Sequence, residues 1–257
     1  MAKIYTSMGL MSGTSLDGID VSIIKSDGKR EYSSILNRYF EYDRELIEKL
    51  LKIRDKIGNS DDLLKYFQEL RDLEREITLF HVKAVDETIR IFDADIDLIG
   101  FHGQTIFHDS KKKISRQLGD GKLLSQLTKK KVVYDFRQND LKNGGQGAPL
   151  TPIFHNVLAN KMNKKFDLGF PINILNIGGI SNITSAVRWK DLWHTNKIYA
   201  YDIGPGNCLI DEWIRKNSKN NYDNKGSIAR SGKVDKLILN QALENFNYNS
   251  RYEKSLD

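Results

Sequence analysis

Met11-Ser12-Gly13-Thr14-Ser15-Leu16-Asp17-Gly18-Ile19-Asp20 lies between two apolar segments near the start of the chain. It reads as a tight turn joining a strand over Ile4–Leu10 to one over Gly18–Lys25. Gly13 and Gly18 lack a Cβ and tolerate positive φ, so a ligand can approach the backbone closely there. Thr14 and Ser15 place hydroxyls beside backbone N–H groups, and the Asp17 carboxylate suits a hydrated Mg²⁺. Such a set can cradle the phosphates of a nucleotide. The same residues also make an ordinary hairpin turn, so the choice falls to the rest of the chain.

The chain has 257 residues, enough for one large domain or two moderate ones, and its 39% hydrophobic and 29% charged residues fit a globular protein. No segment approaches the roughly twenty apolar residues needed to cross a bilayer. Met1-Ala2-Lys3-Ile4-Tyr5 runs directly into a strand-like segment without an apolar leader core, which predicts no secretory signal. Cys208 is the one cysteine, which excludes an internal disulfide framework and fits the reducing cytoplasm. The net charge of +6 is spread along the chain. Its densest runs, Lys111–Lys113 and Lys129–Lys131, have no interleaved aromatics and read as a solvated loop and a helix end rather than a nucleic-acid surface. The charge favours anionic small molecules.

Beyond the opening hairpin a third strand is expected over Tyr32–Phe40. Leu63, Phe67, Leu70, Leu73, Ile77, Phe80 and Ala84 recur at helical spacing, with Asn59-Ser60-Asp61 as N-cap candidates. Asp97–Phe101 reads as a buried strand ending in His102-Gly103-Gln104-Thr105. A helix over Gly121–Lys130, a strand over Val132–Tyr134, a glycine loop over Asn143–Pro149 and a helix over Leu150–Ala159 follow. A second unit begins near Phe170-Pro171, with strands over Ile172–Ile177, Ile180–Val187 and Lys197–Tyr201, then a helix over Cys208–Lys216. Strand, glycine turn, strand thus opens each half, a duplicated α/β layout with a ligand site expected between the units.

Four polar, glycine-rich clusters each follow a strand: 13–20, 101–105, 176–182 and 202–207. In α/β sheets ligands bind at the carboxyl ends of strands. A Walker lysine motif and a dinucleotide GxGxxG are absent, and the five histidines show no transition-metal spacing. Four converging loops without metal-ligand spacing suggest a phosphorylated cofactor. Asp202 ends an apolar strand and faces glycine-rich backbone. Partly desolvated there, it can serve as a general base; it can equally cap the following helix through Gly206 or Asn207.

Met11–Asp20 (MSGTSLDGID), Gly100–Gln104 (GFHGQ), Asp135–Arg137 with Asp140, Gly144–Pro149 (GGQGAP), Asn176–Asn182 (NIGGISN) and Tyr201–Asn207 (YDIGPGN) occur in a specific order and spacing. Together they resemble the anhydro-N-acetylmuramic acid kinase family. The resemblance implies an α/β fold of duplicated RNase-H-like domains, as in actin-like ATPases, with a first domain at 1–169 and a partial second at 170–257. It also implies ATP and Mg²⁺ as cofactors, with 1,6-anhydro-N-acetylmuramic acid phosphorylated and hydrolysed to N-acetylmuramic acid 6-phosphate in peptidoglycan recycling. Gly13, Thr14, Ser15, Leu16, Asp17, Gly18, Ile19 and Asp20 match the ATP-binding segment, with Asp17 near Mg²⁺ through water, and Asp202 matches the catalytic base. His102, Gln104, Arg137, Gln146 and Asn182 are weaker candidates for the sugar and phosphate surroundings. Ile203 stands where the family usually has threonine, which removes one hydroxyl beside the base.

Family chains continue beyond Tyr248–Asp257 with a glycine-rich strand turn that holds adenine, so this sequence is expected to lack the C-terminal part. The competing expectation is a truncated relative that binds sugar or a partner without catalysis. An actin-like filament or chaperone domain would share the fold but have no use for the matched sugar-side loops. The expected setting is cytoplasmic, with a small amino sugar as ligand, room for a homodimer, and neither nucleic acid nor membrane as partner.

Overall fold

The computed structural model describes residues 3–93, 95–188 and 199–244. Its first three strands, β1 (Tyr5–Ser12), β2 (Gly18–Ser26) and β3 (Tyr32–Glu41), form an antiparallel meander. Alternation in β2 sends Ile19, Val21 and Ile23 inward, each no more than 1% exposed. The chain then crosses over the sheet through α1 (Arg44–Lys56), α2 (Asp62–Lys65) and α3 (Phe67–Phe92). It returns as β4 (Leu98–Asp109), parallel to β1, as such a crossover requires. The Asp43 carboxylate caps α1 by accepting from the Leu46 amide at 2.8 Å. Leu70, Leu73, Ile77, Ala84 and Val85 make the buried stripe of α3, as their spacing predicts.

Two expectations change here. The helix expected from Leu63 is broken at Tyr66, and of the expected caps Asp61 takes the N-cap position of α2 but makes no side-chain cap bond. The Asp62 carboxylate accepts from the Gly58 and Asn59 amides, and the Asp61 amide donates to Asn59. The strand expected to end at Phe101 continues to Asp109. Its second half is paired by β5 (Ile114–Leu118), while β6 (Val132–Tyr134) pairs its first half, giving the order β3-β2-β1-β4-β5. The 101–105 cluster is therefore part of a strand, not a loop after one. Gly103 accommodates this with φ +73°, and a Cβ there would stand 2.6 Å from the Leu118 carbonyl oxygen.

After α4 (Gly121–Thr128), α5 (Phe136–Lys142) and α6 (Pro152–Phe166) comes a second antiparallel meander, β7 (Ile172–Ile177), β8 (Ile180–Ala186) and β9 (Tyr199–Pro205). Lys197 and Ile198, expected to start its last strand, lie outside the described residues. The 202–207 cluster likewise begins inside β9. Helix α6 is fastened to this sheet by His155, whose Nδ1 lies 2.8 Å from the Thr184 hydroxyl, and by Asn156, whose Oδ1 accepts from the Val187 amide. Helices α7 (Cys208–Asn217), α8 (Ser227–Ser231) and α9 (Lys236–Glu244) follow. The protein is thus α/β with a mixed sheet. Among the described residues, no helix is long and apolar enough to cross a membrane.

Candidate functional site

The 13–17 turn closes with the Leu16 amide donating to the Gly13 carbonyl at 3.3 Å. Positive φ falls at Leu16 (+61°) and at neither Gly13 nor Gly18. Leu16 takes this uncommon backbone shape because its side chain fills the core, where it is 1% exposed. Gly18 is needed for a different reason: a Cβ there would stand 2.3 Å from the Phe40 carbonyl oxygen of the neighbouring strand. Leu16, Gly18 and Ile19 are buried and offer a ligand backbone only, whereas the side chains of Thr14, Ser15 and Asp17 point outward from the core. The Ser15 hydroxyl donates to the Asp17 carboxylate at 2.6 Å. Asp20 follows on β2, where burial, and then the nearby Asp17 charge, push its carboxyl up from the usual range.

The turn is held from within. Gln104, fully buried on β4, donates through Nε2 to the Gly13 carbonyl at 2.7 Å, and the Tyr42 amide donates to the Asp17 carbonyl at 2.9 Å. The Tyr42 hydroxyl lies 3.2 Å from that of Ser12, which lies 3.1 Å from His81 Nε2. Sequence reading placed Gln104 in the sugar and phosphate surroundings, and missed Ser12, Tyr42 and His81 as a group. The available signal was His81, a polar residue on the apolar face of α3.

The turn meets the second meander directly. Gly179, between β7 and β8, lies against Thr14, and a Cβ there would be 2.8 Å from the Thr14 hydroxyl. Gly206 packs still closer, since its Cβ would stand 2.0 Å from the Gly178 carbonyl oxygen. The Gly206 amide donates to Gly179 O and the Asn207 amide to Gly178 O, both at 2.8 Å. Those are the amides that the helix-cap reading assigned to Asp202. The N-cap position of α7 is instead Asn207, five residues later, so the cap reading of Asp202 is set aside.

Between the turn and α7 lies a cleft of about 510 Å³ lined by Ser15, Asp17, Tyr39, Asn207, Asp211 and Arg215 among others. Asn207 Oδ1 is a buried acceptor without a hydrogen-bond partner. Burial pushes the Asp211 carboxyl up; Arg215 opposes this and Asp17 adds to it. Burial, and then the Asp17 charge, likewise raise the Tyr39 phenol. The cleft therefore holds mutually repelling carboxylates beside one guanidinium, an arrangement that a bound cation would relieve.

Asp202, 7% exposed, stands opposite Asn182 in the β8–β9 register, two residues before Gly204 with φ +153°. His102 and Arg137 form a separate pair. Nε of Arg137 donates to His102 Nε2 at 3.2 Å, and His102 Nδ1 lies 2.7 Å from the Gly103 carbonyl oxygen. Burial, then the Arg137 charge, lower the His102 pKa to about 4, which keeps the ring neutral and Nε2 an acceptor. Gln146 is exposed on the glycine loop. Asp140 shapes that loop by accepting from the Gly147 amide at 2.7 Å, and Lys113 Nζ donates to the Gly144 and Gly145 carbonyls at 2.9 and 2.7 Å. The structure thus pairs His102 with Arg137, Gln104 with the turn and Asn182 with Asp202.

Residues 5–256 match the family model described as anhydro-N-acetylmuramic acid kinase. A protein of that name from Pelagibacter ubique is 51% identical over 254 residues, covering 99% of this chain and 66% of the relative. Proteins of the same name from Rhizobium etli and Agrobacterium fabrum are 38% and 37% identical, each covering 100% of this chain and 68% of the relative. The chain spans about two thirds of the length of the curated relatives it matches.

Proposed function

The chain belongs to the anhydro-N-acetylmuramic acid kinase family, and from this premise we propose that it takes 1,6-anhydro-N-acetylmuramic acid, water and ATP to N-acetylmuramic acid 6-phosphate and ADP. Asp202 accepts a proton from the water that bonds to the anomeric carbon. The bond from that carbon to the bridging oxygen breaks, and the freed oxygen bonds to the terminal phosphorus as ADP leaves. The observation that carries this assignment is the Asp202 carboxylate itself, buried within a strand opposite Asn182.

The amides and hydroxyls of Thr14 and Ser15 hold phosphate oxygens, and Asp17 holds Mg²⁺ through water. The partnerless Asn207 Oδ1 supports this fit, because a metal-bound water is the kind of donor it lacks. Among the described residues, no group of three or more His, Cys, Asp or Glu could hold a metal ion. When bound, the ion neutralises charge on the transferring phosphate. His102, Arg137, Gln146 and Asn182 belong to the sugar side, and the two meanders to domains at 1–169 and 170–257. The role is peptidoglycan recycling in the cytoplasm, and a homodimer is compatible with it.

Coupled measurement of ADP release with the anhydro sugar tests the reading. Asp202→Asn is expected to lower turnover by about 10²- to 10⁴-fold, the usual contribution of a general base, with an unchanged circular dichroism spectrum. Wild-type turnover in the variant would remove Asp202 from the base role.

A further inference from the structure

We propose that Ser12, Tyr42 and His81 are positioning residues that hold the 13–17 turn in the shape that receives phosphate, an inference that rests on the kinase reading above. The three side chains come from β1, the residue just after β3 and the middle of α3, and they are 0%, 2% and 0% exposed. Their hydrogen bonds have only one consistent direction. His81 Nδ1 lies 2.8 Å from the Ile77 carbonyl oxygen, which can only accept, so Nδ1 carries the proton and Nε2 is the acceptor. Nε2 then takes the Ser12 hydroxyl proton, and the Ser12 oxygen takes that of Tyr42. Burial lowers the His81 pKa to about 4, so the acceptor persists at neutral pH.

Packing alone does not call for this. Buried polar groups are costly unless satisfied, and alanine, phenylalanine and leucine would fill the same space without that demand. What the chain achieves is control of both stems of the turn. Ser12 immediately precedes the turn and is gripped through its side chain; Asp17 ends it and is gripped through its carbonyl by the Tyr42 amide. One residue, Tyr42, therefore ties both stems together. With the carbonyls of Gly13 and Asp17 engaged from the inside, the Ser15 hydroxyl and the Asp17 carboxylate are left lining the cleft. Such pre-ordering lowers what binding must spend on arranging the turn.

The test compares the wild-type chain with Ser12→Ala, Tyr42→Phe and the double variant, by amide hydrogen exchange and by calorimetric titration with ATP·Mg²⁺. Tyr42→Phe removes one hydroxyl and keeps the ring against Phe80, so it remains informative if Ser12→Ala fails to fold. Each single change is expected to speed exchange at the Leu16 and Tyr42 amides about tenfold, the effect of one buried hydrogen bond, and to weaken ATP·Mg²⁺ binding by about the same factor. Exchange in β7–β9 should not change. The double variant should go little further than the worse single, because the bonds form one chain. A lowered melting temperature with wild-type exchange at Leu16 and Tyr42 and wild-type nucleotide affinity would overturn the proposal, as would strictly additive effects. If the wild-type chain binds no ATP·Mg²⁺ while the exchange response is as expected, the kinase reading falls and the hold on the turn stands.

Discussion

The two meanders share a connectivity and differ in what covers them. In β1–β3 the inward residues Met8, Ile19, Val21 and Ile23 lie at 0–1% exposure beneath α1 and α3. In β7–β9 one face is held by α6, while Leu175 and Ile177 are 52% and 65% exposed among the described residues. The same local pattern of strand, glycine turn and strand therefore yields a rigid frame in one place and a half-covered sheet in the other. The candidate site lies at their junction, where Gly179 of the second meets Thr14 of the first. Precision at the turn comes from the buried side.

The largest test of that contrast is acid. His81 sits in the frame at a pKa of about 4, against 6.5 in an unfolded chain. Between these values the unfolded chain binds the extra proton, so stability falls as pH drops from 6.5 to 4, with no change expected above 6.5 from this group. For a buried ring this amounts to something on the order of 3 kcal/mol, and His102, at about the same value, acts in the same direction. Denaturant midpoints measured from pH 7 to pH 4 should show this slope, and a His81→Gln variant should lose much of it. An equal slope in wild type and variant would show that the frame does not hold the ring neutral.

Leu16 gives the next largest effect. Leu16→Ala empties a core position and should cost about 3 kcal/mol, within the range for buried leucines. Alanine and leucine both carry a Cβ and meet a similar backbone cost at the φ of +61° found there, so the change reports packing beneath the turn. Urea unfolding measures it directly, and a cost below about 1 kcal/mol would mean that the turn is not seated by its own core residue.

This division shows what the sequence made legible. The strands on either side of both glycine turns were readable, because alternation and glycine punctuation are local signals; β7 begins and ends at the residues expected. The strand through His102-Gly103-Gln104 was misread because glycines suggest a loop, whereas its continuation depends on β5, whose five residues carry no clear alternation. Helices α1 and α5 were not expected at all. Thr14, Ser15, Asp17 and Asp202 stood out in the sequence as motif residues; the structure puts the first three on the turn and Asp202 on β9. The hold on the turn was not legible, since Tyr42 and His81 lie 30 and 69 residues from Ser12 along the chain and meet it only in the folded structure.

The smallest expected effect lies in the second meander. Leu175 stands opposite Ile183, which stands opposite Tyr201, so the three form one row across the sheet. Leu175 and Tyr201 are exposed, at 52% and 41%. Leu175→Ser removes apolar surface that is already largely in water, so folding stability should change by no more than about 0.5 kcal/mol. The contrast with Leu16 is then the measurement: two leucines in meanders of the same connectivity, one costly to truncate and one nearly free. Thermal unfolding of the two variants beside wild type checks it. A Leu175→Ser loss as large as that of Leu16→Ala would mean that the row is buried in solution, and the asymmetry between the two sheets would not stand.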